Sequence, residues 1–179
     1  RWCCRLAVRL PSPTMTDSDA ADAAVHRNVT RVVEAGAEAG VAVVPVRFPD
    51  GTKTAIDAAT AIGCDVGQIV KSLIFGVDGE LVLAYVSGSN QLDEVKLATA
   101  AGGLRCARVD ADAVRAATGF PIGGVPPFGH ESALRVFVDP DLLDYDEVWA
   151  AAGTWHDVFA LTPDDLVRVS GGQVVDLAR

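Results

Sequence analysis

Gly119-Phe-Pro-Ile-Gly-Gly-Val-Pro-Pro-Phe-Gly-His130 packs four glycines and three prolines into twelve residues. Proline fixes φ and removes a backbone donor, and glycine opens conformations closed to other residues. Such a run cannot be the interior of a helix or of a central strand, so it reads as a shaped loop. Gly123 and Gly124 carry no side chain, so a ligand can approach their backbone N–H groups. Val125, Pro126 and Pro127 stiffen the wall beside them. A rigid connector between strands and a binding loop both fit this pattern.

Outward from the loop, the punctuation divides the chain into short elements. Upstream, Asp22 to Ala39 has helical apolar spacing, and Val41 to Phe48 reads as an edge strand because Pro45 lies inside it. Thr54 with Asp57 is a capping-box pattern for a helix closed by Gly63, and Asp65 with Gln68 repeats it for a turn of helix carrying Ile69, Val70 and Lys71. Leu73 to Val77 and Leu81 to Val86, joined by Asp78-Gly79, form a hairpin. Asn90 is expected to cap a helix over Gln91 to Ala101. Leu104 to Val109 is a short strand, and Asp110 caps a helix ending near Gly119. Downstream, Leu134 to Val138 is a strand, residues 142–152 a helix and Asp157 to Leu161 a strand. Thr162 caps a short helix with Pro163 at its first position, and Gln173 to Leu177 is the last strand. Helices and hairpins are interleaved without strict βαβ alternation. The pattern predicts an α/β chain of α+β type, a mixed sheet with helices packed around it.

The composition bounds the function. The chain has 179 residues, half of them hydrophobic, and a formal net charge of −9. One domain, residues 21–179, is the economical reading. Residues 1–20 read as an extension outside the fold, with Met15 a candidate natural start. No apolar run approaches the ~20 residues of a membrane-spanning helix, so no membrane association is expected. The acidity argues against a broad nucleic-acid-coating surface and against DNA as a partner, because phosphate binding needs clustered Lys and Arg. It leaves room for a small basic pocket. Cys3, Cys4, Cys64 and Cys106 form no C-x-x-C pair, and the histidines are His26, His130 and His156. That spacing gives no zinc site and no metal is expected. The cysteine usage fits a reducing cytoplasm.

Chemistry-bearing residues are few. Lys71 leaves an apolar segment (Ile69, Val70, Leu73, Ile74) and is either a solvated residue or a cation at a pocket rim. His130 follows the loop as a structural histidine or a base. No phosphate-binding G-x-x-x-x-G-K-[ST] and no G-x-S-x-G elbow is present.

Two segments together carry a resemblance: Cys64-Asp-Val-Gly-Gln-Ile-Val-Lys-Ser-Leu-Ile-Phe75 and Gly123-Gly-Val-Pro-Pro-Phe-Gly-His130. The chain resembles the YbaK/ProX aminoacyl-tRNA deacylases, relatives of the editing domain inserted in bacterial prolyl-tRNA synthetase. Lys96-Leu-Ala98, Val138-Asp139, Gly153 and Leu161-Thr-Pro-Asp-Asp-Leu166 add to the match, in family order over roughly residues 40–170. The resemblance implies a mixed, strongly curled sheet surrounded by helices and no cofactor. It implies a cytoplasmic hydrolase that deacylates mischarged tRNA, with the tRNA 3′ acceptor end as ligand and a synthetase as a possible partner.

The family's functional lysine falls on Lys71 and its G-x-x-x-P loop on Gly123 to Pro127. Lys71, Gly123 and Gly124 are then the expected catalytic groups. Phe48, Thr54, Val125, Pro126, Pro127, Gly129 and His130 are the expected substrate contacts. Water would be activated by the substrate's own ribose hydroxyl, so no Ser-His-Asp set is needed. Pro126 stands where some relatives carry serine. Two other readings stay open: a non-catalytic module binding an aminoacyl-adenosine or a synthetase, and a hydrolase of another small ester.

Overall fold

A computed structural model describes residues 17–48 and 54–179. α1 (Asp17–Glu38) opens them. It starts before the expected Asp22, so residues 17–20 are helical; the rest of the anticipated extension lies outside the described residues. β1 (Val46–Arg47) follows as a sheet edge, shorter than expected because it forms only after Pro45, which lacks a ladder donor. α2 (Ala55–Ile62) is capped by Thr54, whose Oγ1 accepts from the Asp57 N–H at 3.1 Å while Asp57 Oδ2 accepts from the Thr54 N–H. Gly63 ends it at φ 82°, a left-handed cap.

The Asp65–Gln68 capping box exists, but it opens only a single 3-10 turn, Val66–Gln68. Lys71 therefore lies not on a helical turn but in β2 (Val70–Val77). The chain reverses at Asp78 and Gly79, both at positive φ, into β3 (Glu80–Ser87), as the hairpin pattern predicts.

α3 (Glu94–Ala100) is capped by Asp93, not by Asn90. Asp93 Oδ1 accepts from the N–H groups of Val95 and Lys96. The Asn90 side chain is engaged elsewhere, donating to Asp139 and Asp141. β4 (Cys106–Arg108) and α4 (Ala111–Thr118) lead to the Gly/Pro loop, with Asp110 as cap and Gly119 as left-handed terminus.

β5 (Arg135–Val138) comes next. The helix expected over residues 142–152 does not form. A 3-10 turn, Pro140–Asp144, gives way to β6 (Val148–Ala151). In β6 Val148 and Ala150 are buried and alternate with half-buried Trp149 and Ala151, so packing at period two overrides the helix propensity of the alanines. β7 (Asp157–Leu161), α5 (Pro163–Ser170) and β8 (Gln173–Val174) complete the chain.

The strands make two sheets, β1-β7-β6 and β4-β2-β3-β5-β8, mixed in direction because β3–β5 and β5–β8 are parallel and the other pairs antiparallel. A parallel bridge from Ile69 to Trp149 links them. β3 is central and buried on both faces. Leu83 and Tyr85 point into one apolar cluster with Phe120, Val125 and Phe159; Val82, Ala84 and Val86 point into another with Leu97, Phe137 and Leu177. Each fully buried aliphatic or aromatic side chain here is worth roughly 1.5–3 kcal/mol, which makes the hairpin a rigid frame for whatever its edge carries. Among the described residues no helix is long and apolar enough to cross a membrane.

Candidate active site

The site begins as a gap in the strand pairing. On the side of β2 away from β3, Ile69 bridges to Trp149 of β6, and Phe75, Gly76 and Val77 pair with β4. Between these contacts, residues 71–74 have no strand partner on that side among the described residues. The Gly/Pro loop lies across this opening. It is hooked there by Ser72, whose Oγ donates to the Val125 carbonyl at 2.8 Å.

Two cavities meet at the opening. The smaller, about 410 Å³, is bounded by Thr54, Ala58, Ile69, Lys71, Gly123 and Trp149, among others, and is mostly apolar. The larger, about 620 Å³, extends past Leu73 and Phe75 toward Arg108. Lys71, Ser72, Leu73, Ile122 and Val125 border both. Lys71 thus borders one cleft together with Gly123 and Val125, the two ends of the turn.

Among the described residues, Lys71 has no carboxylate in ion-pair contact. Its Nζ donates to the carbonyl oxygens of Asn90 and, at 3.5 Å, Gly88. Burial pushes its pKa below the ordinary lysine value, and the nearby charge of Asp139 pulls the other way. Asp139 is itself buried. Its Oδ2 accepts from the Ser87 N–H at 3.1 Å and from Asn90 Nδ2 at 2.8 Å, and its Oδ1 from the Asp141 N–H. One carboxylate therefore organises the β3–α3 connection that presents both carbonyls to Lys71.

The loop is fixed from behind. Gly123 sits at φ 81°, where a side chain would strain the backbone. A Cβ at Gly124 would meet the Gly153 carbonyl oxygen at 2.8 Å and Thr154 Cα at 2.9 Å. Glycine at 124 thus serves close backbone packing, and a side chain there would displace the loop instead of filling the cleft. The Gly124 N–H is also spent, donating to Pro121 O at 2.9 Å. The N–H groups of Gly123 and Val125 make no hydrogen bond among the described residues.

Of the residues expected to contact substrate, Thr54 and Val125 border the smaller cavity. Pro126, Pro127, Gly129 and His130 are not among the described walls of either cavity. His130 Nε2–H donates to Pro126 O at 2.7 Å; burial, helped by the charge of Arg31, lowers its pKa against that bond, which favours the neutral ring at neutral pH. Phe48 is tied to His156, donating from N to His156 O at 2.8 Å and accepting at O from His156 Nδ1–H at 3.2 Å; it is not among the described cavity walls.

Sequence reasoning misses Arg31. From α1 it donates to Thr118 O at 2.9 Å and to Gly129 O at 2.6 Å, and it stacks on Phe120 with 4.4 Å from Cζ to the ring centre. It clamps both ends of the loop to one helix, a role with no local signature. Burial raises the thiol pKa of Cys64 and of Cys106, so neither is an activated nucleophile. Among the described residues no group of three or more His, Cys, Asp or Glu is placed to hold a metal ion.

The family model of the aminoacyl-tRNA editing domain matches residues 49–169. A crystal structure described as that of a candidate trans-editing enzyme for prolyl-tRNA synthetase superposes with a TM-score of 0.80 at 44% identity, covering 85% of this chain and 97% of that one. The multifunctional Ser/Thr-tRNA deacylase ProXp-y of Escherichia coli K12 is 31% identical over 122 residues, 65% of this chain and 73% of that protein. The proline–tRNA ligase of Nitratidesulfovibrio vulgaris (strain DP4) is 36% identical over 121 residues, 68% of this chain but only 20% of the ligase. The chain thus spans about a fifth of such a synthetase.

Proposed function

The chain belongs to the aminoacyl-tRNA editing domain family, and from that premise we propose that it is a trans-acting deacylase that hydrolyses the ester of mischarged aminoacyl-tRNA. The observation that carries this reading is the cleft that Lys71 borders together with Gly123 and Val125. The substrate enters as the 3′ aminoacyl-adenosine. Its amino-acid side chain occupies the smaller, mostly apolar cavity, and its ester carbonyl lies against the turn.

Water adds to the carbonyl carbon, the bond to the ribose oxygen breaks, and the water's proton ends on that oxygen. Free amino acid and tRNA are released. The developing oxyanion is met by the N–H groups of Gly123 and Val125. The Gly124 amide is excluded from this task by its bond to Pro121. Lys71, with its remaining N–H directed to the ligand, fixes the terminal ribose and carbonyl region. The substrate's own neighbouring hydroxyl serves as the proton relay, so the reaction needs no side-chain base. A separate hydrolytic site of this kind is useful because one methylene is worth only ~1–3 kcal/mol to a synthetic pocket.

The test is deacylation of a panel of mischarged tRNAs by the purified protein, alongside Lys71→Met. The variant keeps the apolar stem and removes the cation. A rate loss of about 10²-fold or more is expected, in the range seen when a preorganised electrostatic group is deleted. Its thermal midpoint should match or exceed that of the parent, because a desolvated charge has been removed. Full activity in the folded variant would remove Lys71 from the mechanism. Ligand binding without amino-acid release by the parent would convert the reading to a non-catalytic module.

A further inference from the structure

The larger cavity has a composition the ester chemistry does not require. Lys71, Arg108 and Arg179 border it against one side-chain carboxylate, Glu94. In a chain of net charge −9 that is a local reversal of sign. Arg31, Arg47 and Arg168 are all in ion pairs, and Arg135 donates to the Ala101 carbonyl. Among the described residues neither Arg108 nor Arg179 has a carboxylate within 4.0 Å or a side-chain hydrogen bond.

Their positions are set by backbone. Arg108 pairs with Phe75 at the point where β4 begins to cover β2, beside the gap in the pairing. Arg179 is placed by a short antiparallel contact. Its N–H donates to Gln91 O at 2.9 Å, Ala178 bridges Leu92, and Lys96 Nζ holds Ala178 O at 2.6 Å. Two arginines without an ion pair among the described residues thus border one groove together with Lys71.

We propose that this groove is a phosphate-binding subsite for the last internucleotide linkage of the acylated RNA, with Arg108 and Arg179 as its ligands. The proposal rests on the deacylase reading and extends it. The mostly apolar cavity takes the amino acid, the Gly123–Val125 turn takes the ester, and the chain of nucleotides leaves through the larger groove. Guanidinium forks match phosphate geometry in pairs of hydrogen bonds.

The test uses two probes, adenosine 5′-monophosphate, whose phosphate stands where the last linkage would lie, and unphosphorylated adenosine, titrated calorimetrically into the full chain, its Arg108→Gln and Arg179→Gln variants and the double variant. Arg105→Gln, the same charge change on a residue outside this groove, is the control. The parent is expected to prefer the phosphorylated probe by about tenfold or more, the scale of a hydrogen-bonded charge. The double variant should lose that preference and Arg105→Gln should keep it. No preference in the parent, a preference retained in the double variant, or an equal loss in Arg105→Gln would each overturn the subsite. Circular dichroism of each variant separates loss of fold from loss of contact. With mischarged tRNA, the loss should fall on KM. Phosphate preference without amino-acid release would sink the deacylase reading and leave the subsite standing; amino-acid release without phosphate preference would do the reverse.

Discussion

At Lys71 a cation rests on two peptide carbonyls, and the nearest organising charge, Asp139, acts through the intervening loop. That arrangement holds the ammonium in place without neutralising it in a direct ion pair. It also predicts a pH signature. Burial lowers the Lys71 pKa and Asp139 raises it. Asp139→Asn removes the opposing influence, so the pKa falls further and the ammonium is lost at a lower pH. If the protonated lysine is the working form, the alkaline limb of the kcat/KM profile moves to lower pH in Asp139→Asn, while its neutral-pH plateau is reduced by the disturbed loop. A profile merely scaled down, with the limb unmoved, would show that the carboxylate is not felt at Lys71. Linkage runs the same way for stability: with a folded pKa below the unfolded one, the cost of the buried ammonium is complete below the folded value and is relieved as pH rises through 10.5. Little of this is written in the local sequence. Lys71 is legible as a cation leaving an apolar segment, but the groups that hold it are backbone oxygens, which carry no residue signature.

Among the elements, α1 governs the Gly/Pro loop although it contributes no described wall to the cleft. Arg31 ties Thr118 and Gly129, and Asn28 Nδ2 donates to Gly153 O at 3.2 Å, steadying the turn on which Gly124 packs. Removing the guanidinium in Arg31→Ala leaves the Thr118 and Gly129 carbonyls without that donor, so a stability loss of about 1–3 kcal/mol is expected. Urea unfolding reads it, and limited proteolysis should cut first within residues 119–129. Arg31→Lys restores only part, because an ammonium cannot span two carbonyls as a fork does. An unchanged midpoint with an uncut loop would show that the loop holds its own shape. Three side-chain caps are readable in sequence: Thr54, Asp110 and Thr162 each mark their helix correctly. Errors arise where a distant partner decides. Asn90 looks like a cap but is drawn to Asp139, and the alanines near β6 look helical until Val148 and Ala150 find a buried face. The Gly/Pro run announces close backbone approach, yet nothing in it names Gly153 as the backbone approached.

At the scale of the molecule, the decisive quantity is the contrast between an acidic body and one basic groove. A net charge of −9 repels the RNA backbone at long range, and at 0.1 M salt that repulsion is screened beyond about 10 Å. On the proposed reading, contacts are confined to the end of the acceptor strand, with Lys71, Arg108 and Arg179 as the cations that border the groove among the described residues. Each phosphate neutralised on a single strand contributes about −0.7 to the slope of log affinity against log salt. The single linkage assigned to the groove gives a slope near −0.7, so kcat/KM on free aminoacyl-tRNA should fall only about threefold between roughly 50 and 200 mM salt. A protein that coats the RNA with six to ten phosphate contacts loses about 10³–10⁵ over the same interval. Stopped deacylation assays across that salt range decide between the two. A steep loss would mean that a second basic surface engages the tRNA body. A shallow one means that this domain reads only the acylated tip, and that discrimination among tRNAs must come from the amino acid or from a protein that presents it.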